Sequence, residues 1–371
     1  MGRVSVKARR CGVTVAAVAL ATALAGCGDS EEAAEASSDL ISEERCERNA
    51  AVGTIHYVSP HGFGAHGGIL DIFMAEELGY YDDLCLDVEM NATASNRAQL
   101  VSTGRAHFTS GPSGSDQLLT NAQGADNIVA VGILADFVPD VVLANESIKD
   151  LKDLEGKTFA YTTQLSTTTR AMLERNDVDV DSIELINSDA YDAEQLTRGQ
   201  IDAMEGFMSN QPLQLEAKGL PFTLFNPVDY GVDGTYIAYQ FNKEFLTEHR
   251  DVAADVQRAT LAAVHYCMDD AHIEECVDKL SELAEEGNQG DAFPRDQQLR
   301  IWTKEVEMIK QYRAQDRPLG VTVPEQWEAD AALLLEYSQV DEDDLPAIED
   351  VVDFDLIPSL YDGDELIWPG E

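Results

Sequence analysis

Short apolar segments of strand length alternate with helical patterns from Ala51 to Phe207 of this 371-residue chain. The first two strand candidates, 53–59 and 86–90, are separated by apolar residues at helical spacing that end at Gly79. Strands that alternate with helices are typical of βαβ units around a largely parallel sheet. The alternation therefore predicts an α/β fold.

A second strand–helix series begins at Lys157, and helices dominate from Lys243 onward. Ser113 and Ser166 each precede a helical pattern, in the position where a serine side chain caps a helix. The longest helix is predicted over 244–268. The acidic, proline-containing tail 341–371 is expected to wrap around the surface.

The N-terminal residues have the pattern of a secretory signal: a basic start, an apolar run over 11–24 and small residues before Cys27. The run is shorter than the about 20 residues that span a bilayer. Leu24-Ala25-Gly26-Cys27 resembles the lipobox of bacterial lipoproteins, which implies cleavage after residue 26 and acylation of Cys27. We expect a signal peptide over 1–26, an acidic tether over 27–50 and a lipid anchor on the outer face of the cytoplasmic membrane.

The formal net charge of −44 argues against nucleic acid as a partner, because a phosphate backbone requires basic patches. The charges are spread along the chain, which is typical of a solvated surface. We interpret the excess as adaptation to a saline or alkaline exterior.

After removal of the signal and acylation of Cys27, four cysteines remain: Cys46, Cys85, Cys267 and Cys276. An even number in an exported chain indicates disulfides, and four cysteines allow three connectivities. We favour the pairing of sequence neighbours, Cys46 with Cys85 and Cys267 with Cys276.

Four short blocks in order carry a family resemblance: 77–81, 99–108, 151–158 and 196–203. They read ELGYY, QLVSTGRAHF, LKDLEGKT and LTRGQIDA. In this order and spacing they resemble ABC-transporter solute-binding proteins of the group that binds thiamine pyrimidine precursors, riboflavin, sulfonates and nitrate. Cys85 departs from the family pattern, which often has glycine there.

The resemblance implies a periplasmic-binding-protein type II fold, with two α/β lobes, two crossover strands and a ligand cleft between the lobes. The expected domains are lobe 1 over 51–143 and 237–371, and lobe 2 over 144–236. It also implies a monomer that closes by hinge motion and delivers a small molecule to an ABC permease and its ATPase.

Ligands of open α/β sheets bind beyond the carboxyl ends of the strands, where helix N-termini are available. Applied to both lobes, this rule selects the candidate ligand-binding residues Ser59, His61, Phe63, His66, Asn96, Ser110, Ser113, Thr163, Ser166, Thr167, Glu205, Asn210, Asp229 and Tyr230. The stretch 225–232 resembles the corresponding segment of pyrimidine-precursor binders. We therefore expect a small heteroaromatic ligand, such as a thiamine pyrimidine precursor or a flavin, and keep sulfonate, taurine or nitrate as the alternative.

Two other classes of function are less well supported by the residues. A metal-binding envelope lipoprotein would need histidines such as His56, His61 and His66 to converge, but a strand and a glycine-rich loop separate them. A pyrimidine-synthase-like enzyme would need a lysine for pyridoxal phosphate, and no lysine lies between Lys7 and Lys149. We expect no catalytic residues, no cofactor and no metal.

Overall fold

The computed structural model describes residues 40–59, 61–92, 96–162, 164–188, 192–338 and 340–370. The predicted signal peptide, Cys27 and most of the tether lie outside these ranges, and so does Thr163.

The strands of the described residues form two five-stranded sheets and one short hairpin. Their bounds are β1 Thr54–Val58, β2 Asp87–Asn91, β3 Phe108–Gly111, β4 Ile128–Ala135, β5 Asp140–Ala144, β6 Thr158–Tyr161, β7 Glu184–Asn187, β8 Ala203–Phe207, β9 Thr223–Phe225, β10 Tyr236–Asn242, β11 Tyr361–Asp362 and β12 Glu365–Leu366. The first sheet has the order β2-β1-β3-β10-β4, and the second has the order β7-β6-β8-β5-β9.

Each large sheet combines parallel βαβ strands with one antiparallel crossover strand. In the first sheet β1 is parallel to β2 and β3, and β10 is antiparallel to β3 and β4. In the second sheet β6 is parallel to β7 and β8, and β5 is antiparallel to β8 and β9. The carboxyl ends of the parallel strands therefore meet at one edge of each sheet, as a ligand site requires.

The helices of the described residues cover both sheets. Their bounds are α1 Glu43–Ala51, α2 Leu70–Glu77, α3 Tyr80–Asp83, α4 Arg97–Ser102, α5 Gly114–Ala122, α6 Thr167–Arg175, α7 Glu194–Thr197, α8 Gln211–Ala217, α9 Lys243–Glu248, α10 Arg250–Cys267, α11 Ile273–Glu286, α12 Arg295–Tyr312, α13 Pro324–Tyr337 and α14 Ile348–Val351. The helix expected over 244–268 is divided at His249, which is non-helical and separates α9 from α10.

The two sheets define two lobes joined by two crossovers, and the predicted two-lobed α/β fold is confirmed. The chain leaves the first sheet after β4, passes through 136–139 and enters the second sheet at β5. The predicted lobe boundary at 143/144 thus falls at the end of β5. The chain returns through 226–235 into β10, and α13 packs against both α5 and α6.

Two disulfides fasten lobe 1, and the favoured connectivity is confirmed. Cys46 on α1 is bonded to Cys85, and Cys267 on α10 is bonded to Cys276 on α11. Cys85 has a φ of 55°, a left-handed conformation that favours glycine, which fits a family pattern with glycine at this position.

The C-terminal tail packs on lobe 1 and contributes Leu356, Ile357 and Leu360 to its core, whereas it was expected to wrap around the surface. The backbone oxygens of Ile367 and Pro369 accept hydrogen bonds from Arg258 and Arg45. Within the described ranges, none of the helices combines the length and the apolar character needed to cross a membrane.

Candidate functional site

A cavity of about 190 Å³ lies between the lobes, beside both crossovers. Lobe 1 contributes the start of α5, lobe 2 contributes the start of α6, and α13 closes one side. The residues lining it are Pro112, Ser113, Ser115, Asp116, Leu119, Val138, Pro139, Asp140, Gln164, Ser166, Thr167, Thr168, Phe207, Gly234, Thr235, Asp330, Leu333 and Leu334.

The N-terminus of α5 faces this cavity and is already bound to a carboxylate of the protein. The Ser113 hydroxyl accepts the Asp116 N–H at 3.1 Å, as predicted for a cap. The Thr235 hydroxyl accepts the Gly114 N–H at 2.7 Å and donates to Asp330 Oδ2 at 2.7 Å. Burial raises the pKa of Asp330 to about 7, opposed by the hydrogen bonds from Thr235 and from the backbone of Ser115.

The N-terminus of α6 has the same arrangement. The Ser166 hydroxyl accepts the Thr169 N–H at 3.1 Å, and Glu205 Oε1 accepts the Ser166 N–H at 2.7 Å. Burial raises the pKa of Glu205, and hydrogen bonds from Ser166 and Thr169 oppose that shift. A helix N-terminus attracts anions through its unpaired N–H groups and its dipole. In this protein, Asp330 takes the place of such an anion at the N-terminus of α5, and Glu205 does so at the N-terminus of α6.

Among the carboxylates that line the cavity, Asp140 has neither a hydrogen bond nor an ion pair with a described side chain. It begins β5 directly after the first crossover, is half-buried, and accepts no hydrogen bond from the described residues. Burial raises its pKa to about 7, with smaller contributions from the negative charges of Glu205 and Asp116. Asp116 itself is paired with Arg97, which also donates to Gln240 Oε1 at 3.0 Å.

The histidines that follow β1 have different environments. Desolvation by the surrounding protein lowers the pKa of His61, and the positive charges of His66 and Arg97 lower it further. His66 donates from Nδ1 to Glu305 Oε1 at 2.6 Å. No group of three or more His, Cys, Asp or Glu within the described ranges is arranged to hold a metal ion.

The structure brings some of the predicted residues to the cavity and places others elsewhere. Ser113, Ser166 and Thr167 line it, and Glu205 is bonded to its rim. Ser59 and Ser110 are buried at strand ends, where their hydroxyls donate to the backbone oxygens of glycines in the loop before α2.

Several other predicted residues, including His61, His66 and Asn210, also lie outside the cavity lining. Phe63 is 2% exposed and packs against Phe73 in the core of lobe 1. Asn96 precedes α4 without capping it. Asp229 and Tyr230 lie on a 3₁₀ turn of lobe 2, where Tyr230 packs on Phe225.

Asn210 contacts the opposite lobe. Its Oδ1 atom accepts from Gln214 of α8 and, at 3.1 Å, from Gln297 of α12.

Sequence reasoning did not find Asp140, Asp116, Arg97 or Asp330. Asp140 directly follows the first crossover, so the rule that ligands bind beyond the carboxyl ends of the strands could have found it if it had been applied to the crossovers. Asp330 comes from a helix that is distant in the sequence.

Comparison with known structures agrees with this architecture. The periplasmic aliphatic sulphonate-binding protein from Escherichia coli superposes with a TM-score of 0.58 at 14% identity, covering 81% of this chain and 92% of that chain. The periplasmic nitrate-binding protein from Synechocystis PCC 6803 has a TM-score of 0.58 at 12% identity, covering 82% and 87%. A desulfurization enzyme has a TM-score of 0.56 at 11% identity, covering 82% and 98%. At these identities the likeness shows the fold alone.

The two lobes, the crossovers and the cavity between them therefore define a protein of the type II periplasmic-binding-protein fold. The model of the NMT1/THI5-like family matches residues 67–272, more than half of the chain. The chain belongs to this family, and the resemblance drawn from the four sequence blocks is confirmed. No curated protein matches the chain in sequence.

Proposed function

We propose that this protein is the extracytoplasmic solute-binding lipoprotein of an ABC importer and that it captures a small heteroaromatic molecule that carries hydrogen-bond donors. A thiamine pyrimidine precursor is the best candidate. The lobes close over the ligand, and the loaded protein delivers it to the permease and ATPase. Family membership, the two-lobed fold and the interlobe cavity support this function, which requires no catalytic residue.

One observation carries the choice of ligand: carboxylates already occupy the N-termini of both helices that face the cavity. Asp330 is bound at α5, and Glu205 is bound at α6. A sulfonate or a nitrate at either helix would have to displace the carboxyl group that already binds its N–H groups, and it would be repelled wherever that group is ionised. A neutral or positively charged ring with N–H donors meets no such repulsion.

Asp140 supplies the complementary acceptor. An ionised carboxylate accepts hydrogen bonds through two oxygens, which suits the adjacent ring nitrogen and amino group of an aminopyrimidine. Because Glu205 and Asp116 are already bonded within the protein, Asp140 is the carboxylate of this wall that a ligand can engage.

The volume of the cavity favours a ligand with a single ring over the three-ring system of a flavin. Pockets for drug-sized ligands measure about 300–1,000 Å³, and this cavity measures about 190 Å³. A single pyrimidine ring therefore matches the space better than a flavin does. Flavin binding would require a wider separation of the lobes.

A thermal-shift screen of the purified protein tests the proposal. Pyrimidines and flavins, sulfonates including taurine, and nitrate would be compared at matched concentrations. We expect the melting temperature to rise with an aminopyrimidine, because a ligand that binds only the folded state stabilises it. A rise with sulfonates or nitrate alone would contradict the proposal.

Sulfonate or nitrate binding is the second candidate. Arg97 favours it: its guanidinium is 13% exposed, pairs with Asp116 of the cavity lining, and is the type of group that binds an anion. Asp116 already neutralises this charge in the structure, which is why we rank the candidate second.

A further inference from the structure

Glu305 of α12 accepts hydrogen bonds from both lobes. Its carboxylate is 2% exposed and accepts four hydrogen bonds. The donors are the His66 ring at 2.6 Å, the Gly67 N–H at 2.8 Å, the Tyr236 hydroxyl at 2.6 Å and the Ser209 hydroxyl at 2.9 Å. A buried carboxylate with four donors is fully satisfied, so the site is stable without a ligand.

These donors come from three parts of the fold. His66 and Gly67 belong to lobe 1, immediately before α2, and Tyr236 begins β10 at the return crossover. Ser209 belongs to lobe 2, two residues after β8. The same helix makes a second contact with lobe 2, because Gln297 Nε2 donates to Asn210 Oδ1 at 3.1 Å.

Opening the cleft affects these contacts unequally. The bonds from His66, Gly67 and Tyr236 stay within lobe 1 and its crossover, so they are kept when lobe 2 rotates away. The bonds made by Ser209 and Asn210 connect the moving lobe to α12, so they are exchanged for bonds to water.

We propose that Glu305 and Gln297 of α12 form a latch that stabilises the closed arrangement of the two lobes. Ser209 and Asn210 are the groups that α12 releases when the cleft opens. The latch lies outside the cavity proposed for the ligand, because neither Glu305 nor Ser209 lines it. It therefore sets the balance between open and closed states independently of which molecule is bound.

The test is the distribution of interlobe distances in the ligand-free protein. Spin labels on a non-canonical amino acid at the exposed positions Ala217 of lobe 2 and Glu248 of lobe 1 leave both disulfides intact. Double electron–electron resonance then measures the separation. Ser209→Ala removes one donor and leaves Glu305 with three, so lobe 1 keeps its packing.

We expect Ser209→Ala to raise the ratio of open to closed molecules by at least roughly 10-fold, because a hydrogen bond to a charged group contributes about 1.5–3 kcal/mol. Ser182→Ala is the matched control, because the Ser182 hydroxyl donates to Asp179 O within lobe 2 at 2.6 Å. Gln297→Ala removes the second contact from the lobe 1 side and should shift the distribution in the same direction. The latch is refuted if Ser209→Ala and Gln297→Ala both give the same ratio of open to closed molecules as Ser182→Ala.

Discussion

Replacing Asp140 with asparagine tests whether the Asp140 carboxylate accepts hydrogen bonds from the ligand. The two side chains have nearly the same shape, so the half-buried position is expected to stay packed while the negative charge is lost. Hydrogen bonds to a charged group contribute about 1.5–3 kcal/mol, which corresponds to roughly 10- to 150-fold in Kd. We therefore expect Asp140→Asn to weaken binding of 4-amino-5-hydroxymethyl-2-methylpyrimidine by a factor in this range at pH 8.

The loss should depend on pH, because the pKa of Asp140 is raised to about 7. Below pH 7 the wild-type carboxyl is protonated and resembles the variant, so the difference between the two proteins should shrink at pH 6. Isothermal titration calorimetry at pH 6 and pH 8 measures the effect, with the exposed Asp364→Asn as a control of equal charge. Equal Kd values for Asp140→Asn and wild type at pH 8 would refute the reasoning.

Three further predictions concern the anchor and the stability of the fold. Cys27→Ser should release the protein from membranes in a fractionation assay, and continued pelleting with membranes would contradict the lipoprotein assignment. The melting temperature should rise between low and molar NaCl, because the screening length falls from about 8 Å at physiological salt to about 3 Å at 1 M; a flat or falling trend would show that charge repulsion does not limit stability. The free energy of unfolding should fall from pH 5 to pH 8, because burial raises the pKa of Asp71 to about 7 and the native state keeps a proton that the unfolded state has lost. Denaturant titrations of Asp71→Asn should show a flatter pH dependence, and an unchanged slope would exclude Asp71 as its source.

The fold was predictable because its signals are local. Strand and helix alternation, the caps Ser113 and Ser166, and the order of the four blocks each depend on residues close in sequence. The break at His249 was missed, since both flanking segments have helical patterns and only the backbone of that residue leaves the helix.

The site was predictable only in part, because its decisive carboxylates come from distant segments. The rule that ligands bind beyond the carboxyl ends of the strands selected Ser113, Ser166 and Glu205, which lie at the starts of helices. It could not place Asp330 at α5, since α13 folds back from more than 200 residues later in the chain. It also could not exclude Phe63 from the cleft lining, because the loop after β1 turns that ring into the core.

A competition between ligand classes tests the central claim most directly. Calorimetric titrations of the wild-type protein with the aminopyrimidine, an alkanesulfonate, taurine and nitrate would be made in one buffer at pH 8. The account predicts micromolar or tighter binding of the aminopyrimidine and no measurable binding of the three anions. Micromolar binding of any of these anions without binding of the pyrimidine would contradict it.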